Sequence, residues 1–219
     1  GGAFVYLVIQ LSYKSILKID SYAKRQRTLA ENDSLTGLPN RKKFFQVLNK
    51  QVKYEPSFYL MLIDLNRFKS INDSYGNKVG DMLLSIFSKT LSHNIVGIAK
   101  LYRLGGDEFA LIVDNSANEA LNLCIEAIKK STKHPFHIYE HSLRVHVTVG
   151  ITTFANHSSH ANELLKQADL ALHEAKDTQQ LYVHYFEALS TRANELSNMT
   201  SRIKHAIKNH EFELYLQPI

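Results

Sequence analysis

Three carboxylates and two lysines are the side chains in this sequence best suited to chemistry. Asp107 and Glu108 follow directly on Gly105 and Gly106, between the apolar, β-favouring runs 98–102 and 109–113. Two glycines between such runs signal a hairpin, because tight two-residue turns favour positive φ. Bare glycines also let another molecule approach the backbone closely. Carboxylates at that edge suit a hard divalent cation, so the turn is fitted to hold a nucleoside triphosphate and its magnesium. Asp64 lies at the end of 57–65, an apolar run of strand length. A carboxylate ending a buried strand is costly unless it is paired or holds a metal. With Asp107 expected on a neighbouring strand, a shared metal is favoured over a capping aspartate. Lys69, on the next short helix, could meet phosphate or simply be solvated. Lys176 ends a later helix, where it too could reach phosphate. Asn72 carries an amide that both donates and accepts, as a guanine edge requires. Asp81 could accept from the guanine N1 and N2 hydrogens, which adenine lacks; taken alone, Asn72 and Asp81 fit helix caps better.

These residues fall inside five motifs that keep their order and spacing. They are Asp33-Ser34-Leu35-Thr36-Gly37-Leu38-Pro39-Asn40-Arg41, then Asp64-Leu65-Asn66-Arg67-Phe68-Lys69-Ser70-Ile71-Asn72-Asp73, then Gly80-Asp81, then Gly105-Gly106-Asp107-Glu108-Phe109, and last Ala168-Asp169-Leu170-Ala171-Leu172-His173-Glu174-Ala175-Lys176. Together they resemble the GGDEF family, the diguanylate cyclases. The resemblance implies condensation of two GTP molecules to cyclic di-GMP with release of two pyrophosphates, each 3′-hydroxyl attacking the other's α-phosphate. One domain would offer one nucleotide site, so two would face each other as a homodimer. Asp64, Asp107 and the carbonyl of Leu65 would hold Mg2+ (or Mn2+), with Glu108 assisting at the metal or in activating the hydroxyl. Lys69 and Lys176 would stabilise phosphate charge. Phe68, Asn72, Asp81, Gly105 and Gly106 would bind the nucleotide. The implied fold is α/β: a central, mostly antiparallel five-stranded sheet flanked by helices, palm-like, preceded by a long N-terminal helix.

Four positions depart from the family pattern. Val96-Gly97-Ile98-Ala99 stands where an Arg-x-x-Asp product-inhibition site is expected, so no feedback through that site follows. Asn77 replaces a histidine, and Asn66 an aspartate. Gln180 stands where an arginine for the γ-phosphate is expected. Losing one charged phosphate contact is worth about 1–3 kcal/mol, which weakens GTP binding without removing the metal chemistry. The competing expectation is therefore a catalytically weak GTP-binding domain that regulates an adjacent EAL phosphodiesterase domain. A third is a pure dimerisation scaffold.

Three stretches are expected: 1–32 as a membrane-proximal signalling helix, 33–187 as the GGDEF domain, and 188–219 as a linker helix with the beginning of an EAL domain. Residues 3–11 are strongly apolar but too few to span a bilayer. Lys14, Lys18, Lys24, Arg25 and Arg27 follow them, as at the cytoplasmic end of an inner-membrane helix. A short heptad through Ile9, Ile16, Ala23 and Ala30 also fits a dimerisation helix. Residues 33–41 break that helix at Gly37 and Pro39, and Asn40 caps the next one. Further helices are expected over 79–91, 117–132, 161–176 and 187–209. A second hairpin is expected from 136–139 and 143–154, turning at Glu140-His141, and a last strand over 181–186.

The bulk numbers exclude little but consistently. A 219-residue chain that is 44% hydrophobic can bury a globular core. A single cysteine, Cys124, rules out an internal disulfide and sits in an apolar helical pattern, as core packing would. A net charge of +5 suits anionic ligands. No dense basic patch interleaved with aromatics points to nucleic acid. None of the 11 histidines stands at a ligand spacing, and none receives a role.

Overall fold

The computed structural model describes residues 2–54, 57–114, 119–155, 160–213 and 215. Its elements run α1 (Gly2–Glu31), α2 (Arg41–Tyr54), β1 (Ser57–Leu65), α3 (Phe68–Tyr75), α4 (Asn77–Asn94), β2 (Ala99–Gly105), β3 (Glu108–Asp114), α5 (Ala120–Ser131), β4 (Phe136–Ile138), β5 (His141–Leu143), β6 (Val147–Ala155), α6 (Ala161–Asp177), β7 (Tyr182–His184) and α7 (Glu187–Lys208). Five strands form one sheet in the order β2-β3-β1-β6-β7. All its pairings are antiparallel except β6 with β7. This is the mostly antiparallel five-stranded sheet, flanked by helices, that the motifs imply.

The strand β1 sits in the middle because both its faces are apolar. Met61, Ile63 and Leu65 point into a core shared with Leu83 and Phe87 of α4 and Cys124 of α5. Leu60 and Leu62 point the other way, onto Phe44 and Leu48 of α2 and Ala168 and Leu172 of α6. A strand covered on both sides carries a nearly continuous hydrophobic run, as 57–65 does. Helix α6 comes especially close at Gly150 of β6. A Cβ there would overlap the Ala168 carbonyl oxygen and the Leu172 nitrogen, both backbone atoms.

Several local expectations need correction. The second hairpin is shorter than expected: β4 pairs only with β5 as a separate two-stranded ribbon, turning at Tyr139-Glu140, with Tyr139 at φ 52. The chain then leaves the ribbon, and β6 pairs with β1 instead. Val145, Val147, Val149 and Ile151 are buried and Arg144 and His146 exposed, as alternation predicts, but Thr148 is buried as well. The sheet is covered on its second face there, so period-two alternation stops reporting exposure. Met82 and Leu123 are exposed on α4 and α5 although they are apolar. The glycine turn is also displaced by one residue. Gly105 still pairs with Glu108, and the loop is Gly106-Asp107, because Leu104 is an extra residue in β2 that breaks the register.

No helix among the described residues is long and apolar enough to cross a membrane. Ile16 of α1 is exposed, while the side chains of Ile9 and Ala23 lie outside the described residues. On α7 only Leu189 is buried, leaving Leu196, Met199 and Ile203 exposed. The expected EAL strand over 212–219 falls mostly outside the described residues; those described there, 212, 213 and 215, are in no regular element.

Candidate functional site

Asp64 ends β1, and the register sets it opposite Glu108, the first residue of β3. Just before that pair, the Leu65 amide donates to the Asp107 carbonyl at 3.4 Å. Asp64 and Glu108 are therefore carried by adjacent strands at the same end of the sheet, and Asp107 stands beside them in the turn that leads into β3. Their charges feel one another. Burial pushes the Asp107 carboxyl above the usual carboxylate range, and the charge of Asp64 pushes it further. Glu108 is raised too, by burial and then by Asp64, Asp169 and Asp107. Glu108 is exposed, so water screens part of that repulsion. Crowded carboxylates of this kind call for a cation.

Part of that cation is supplied from α6. The Lys176 Nζ lies 2.8 Å from Asp64 Oδ2. Asp64 and Lys176 line one side of a cleft of about 610 Å³, with Asn66, Arg67, His146 and Gln180 around it. Below the cleft, the Thr148 hydroxyl donates to Asn66 Oδ1 at 2.8 Å, and the Asn66 amide donates to the His146 carbonyl at 2.9 Å. These bonds tie the turn after β1 to β6, which explains why Thr148 is buried.

The remaining predicted residues gather elsewhere. Phe68 and Asn72 on α3 pack against Gly80 of α4, and a Cβ on Gly80 would overlap Asn72 Oδ1. That oxygen is buried with no hydrogen-bond partner. Asp81 is exposed on the next position of α4, and Lys69 is exposed on α3. Neither lines the cleft of Asp64 and Lys176. The structure thus brings together two groups: Asp64, Asp107, Glu108 and Lys176 around the sheet end, and Phe68, Asn72 and Asp81 around the α3–α4 corner. Gly105 (φ 145) and Gly106 (φ 53) have nothing within 4 Å of where a Cβ would stand. Backbone conformation, not crowding, is what these two positions require.

Asp33 and Arg103 form a contact beside the site that the sequence reading passed over. The Arg103 Nη1 donates to Asp33 Oδ1 at 2.8 Å, while its Nε and Nη2 donate to the Gly106 carbonyl at 3.1 and 2.7 Å. Asp33 Oδ1 also accepts from the Thr36 amide and hydroxyl at 2.8 and 2.7 Å. Burial alone would raise the Asp33 carboxyl, but the bonds from Thr36 and Arg103 outweigh it and hold it below the ordinary range. The segment after α1 is thereby clamped to the glycine turn through one nearly buried guanidinium. Asn40 caps α2 as expected, accepting from the Lys43 amide at 3.1 Å.

Residues 30–181 match the family described as diguanylate cyclase, GGDEF domain. The chain belongs to the GGDEF family. It is 34% identical to the signaling protein YkoW of Bacillus subtilis over 94% of this chain and 26% of YkoW. It is 29% identical to the bifunctional diguanylate cyclase/cyclic di-GMP phosphodiesterase MucR of Pseudomonas aeruginosa over 87% of this chain and 28% of MucR. The chain thus spans about a quarter of the length of these two relatives. The coiled coil and GGDEF domain of DgcB from Caulobacter crescentus, solved in complex with c-di-GMP, superposes with a TM-score of 0.74. At 19% identity, covering 82% of this chain and 98% of DgcB, that likeness shows the GGDEF fold.

The donor set fits a hard divalent ion. Among the described residues no group of three or more His, Cys, Asp or Glu side chains is placed to cage a metal. Two carboxylates and the Leu65 carbonyl would therefore hold only part of the coordination sphere. Magnesium commonly takes just such a share from protein and the rest from phosphates and water. The chemistry of the donor set speaks for this fit: hard carboxylate oxygens on Asp64 and in the adjoining Asp107 turn, which is held to β1 by the bond from the Leu65 amide to the Asp107 carbonyl.

Proposed function

We propose that this GGDEF domain condenses two GTP molecules into cyclic di-GMP. The observation that supports it best is the convergence of Asp64, near the end of β1, with Asp107 in the turn before β3, where the Leu65 amide donates to the Asp107 carbonyl and the charge of Asp64 raises the Asp107 carboxyl. Asp64, Asp107 and the Leu65 carbonyl would hold Mg2+ or Mn2+, which supplies charge neutralisation at the α-phosphate. Lys176, 2.8 Å from Asp64, would stabilise phosphate charge. Glu108 would assist at the metal or in activating the attacking 3′-hydroxyl, and its raised carboxyl is in keeping with that role. Asn72 and Asp81 would select guanine at the α3–α4 corner, with Phe68 packed beneath. Lys69 would meet phosphate from the exposed side of α3. The glycine turn would let the nucleotide approach β2 and β3. Each domain has one such site and the product is two-fold symmetric, so two copies would meet face to face during turnover.

MucR is named for both cyclase and phosphodiesterase activity, and on that likeness this domain would work within a longer GGDEF–EAL protein. The basic residues Lys14, Lys18, Lys24, Arg25 and Arg27 after the apolar stretch 3–11 would suit the cytoplasmic side of an inner membrane. A second reading has one specific observation in its favour: the neutral Gln180 lines the cleft beside Lys176, where a further cation would strengthen GTP binding. On that reading the domain binds GTP and regulates a following phosphodiesterase domain without condensing anything. The deciding experiment incubates the protein with GTP and magnesium and separates the products by chromatography and mass. Cyclic di-GMP with two equivalents of pyrophosphate supports the cyclase. GTP binding without product supports the regulatory reading.

A further inference from the structure

Three clefts of this molecule meet at one side chain. The first is the cleft beside Asp64 and Lys176. The second runs between α3 and β5, past Ser70, Tyr75 and Arg144. The third runs along α5, past Lys129, Lys130 and Lys133. His146 lines all three, and Arg67 lines the first two.

The charges in the first cleft are unevenly used. Its ionisable lining groups are Asp64, Arg67, His146 and Lys176. Lys176 is committed to Asp64 at 2.8 Å. Arg67 is exposed and makes no ion pair among the described residues. It stands at φ 59, the left-handed turn that carries the chain from β1 into α3, so its backbone position is set by that turn. His146 is exposed on the strand side of the same cleft, its own carbonyl anchored by the Asn66 amide. An imidazole N–H can donate to an anion in either protonation state, and a guanidinium can grip phosphate with two parallel bonds. Gln180 brings no charge.

We propose that Arg67 and His146 hold the terminal phosphates of the bound nucleotide, so that the polyphosphate tail runs past the α3 turn toward His146. This rests on the GTP-binding reading above and adds two residues to it. The tail would leave Asp64 and Lys176 at the α-phosphate and end against the fork of Arg67. The loss of a cation at position 180 would be offset from the opposite wall of the cleft.

The test compares three probes by calorimetry in the presence of magnesium: GMP, guanosine 5′-(α,β-methylene)triphosphate, and inorganic tripolyphosphate. The proteins are wild type, Arg67→Ala, the double variant Arg67→Ala/His146→Thr, and Arg67→Ala/Gln180→Arg. All three altered side chains are exposed, and far-UV circular dichroism verifies the fold. Arg67→Ala is expected to weaken the triphosphate analogue about tenfold or more, the size of a lost charge-assisted bond, and to leave GMP unchanged. The double variant is expected to weaken it further, and Gln180→Arg to recover much of the loss. Equal loss for GMP and the analogue overturns the proposal, as does wild-type affinity in the double variant. If the wild type binds neither guanosine ligand but binds tripolyphosphate and loses it in the double variant, the guanosine reading fails and the anion site stands. Tripolyphosphate binding that is absent from the wild type, or indifferent to both substitutions, overturns the anion site itself.

Discussion

The ammonium of Lys176 lies 2.8 Å from the carboxylate of Asp64 and is its counter-charge. Helix α6 therefore already provides what a bound cation would provide, and the two would compete for Asp64. Lys176→Met should lower turnover of GTP by about tenfold or more, since a positioned charge is lost from the phosphate. It should also tighten divalent binding a few-fold, because Asp64 is released. Steady-state kinetics and a magnesium thermal-shift titration check both halves. A variant with weaker turnover and weaker metal binding would place Lys176 in the metal's support and not in competition with it.

Asp107 is expected to trade stability for function. Its folded carboxyl is raised above the ordinary 3.8 by burial and by Asp64. For a raised acid, the stability it contributes is full below the unfolded value and is lost as pH rises through the folded value. At neutral pH the ionised group is therefore a liability. Asp107→Asn should raise stability by on the order of 1 kcal/mol, seen as a Tm about 2–4 °C higher without metal, and the gain should vanish below pH 4. The same variant should lose product formation. An unchanged Tm at neutral pH would mean that Asp107 is not crowded.

Arg103 should be worth more to the fold than any other charged residue. It is only 9% exposed and makes three bonds, to Asp33 and the Gly106 carbonyl. Removing one partner of a nearly buried pair typically costs about 3–5 kcal/mol. Arg103→Ala is expected near that range, and Asp33→Asn below it, since the Thr36 bonds to Oδ1 persist in part. The depressed Asp33 carboxyl contributes stability that is present above 3.8 and lost as pH falls through its lower folded value. Urea melts at pH 7 and pH 3 read this out: the gap between wild type and Asp33→Asn should shrink in acid.

Gly80 and Gly150 should respond differently to an added methyl group. At Gly150 an added methyl would overlap the backbone of α6, so Gly150→Ala should cost about 3 kcal/mol or more. At Gly80 the methyl would strike the side chain of Asn72, which can move. Gly80→Ala should therefore leave Tm within a few degrees but weaken guanine selection, read as the ratio of GTP to ATP affinity. If Gly80→Ala unfolds the protein, the Asn72 contact is structural and not part of a base pocket.

The sequence carried the sheet, its central strand and the clustered carboxylates, because burial on both faces and motif spacing are local signals. It gave no hint of the Asp33–Arg103 clamp, whose partners are 70 residues apart. It also gave His146 no role, since a histidine that lines a cleft from the coil just before β6 has no spacing to betray it. The ribbon of β4 and β5 was misread because an alternating pattern continues from 143 through 151 across a change of partner. Gly150 was invisible for a related reason: its constraint comes from a helix that begins 11 residues later.

The central claim is that Asp64 and Asp107 share one divalent ion with the nucleotide. Manganese binding, measured by electron paramagnetic resonance with the α,β-methylene GTP analogue present, tests it across wild type, Asp64→Asn, Asp107→Asn and the double variant. A shared ion predicts that each single substitution abolishes most of the high-affinity binding and that the double variant loses little more. Full binding in either single variant, or independent losses that simply add, would contradict it.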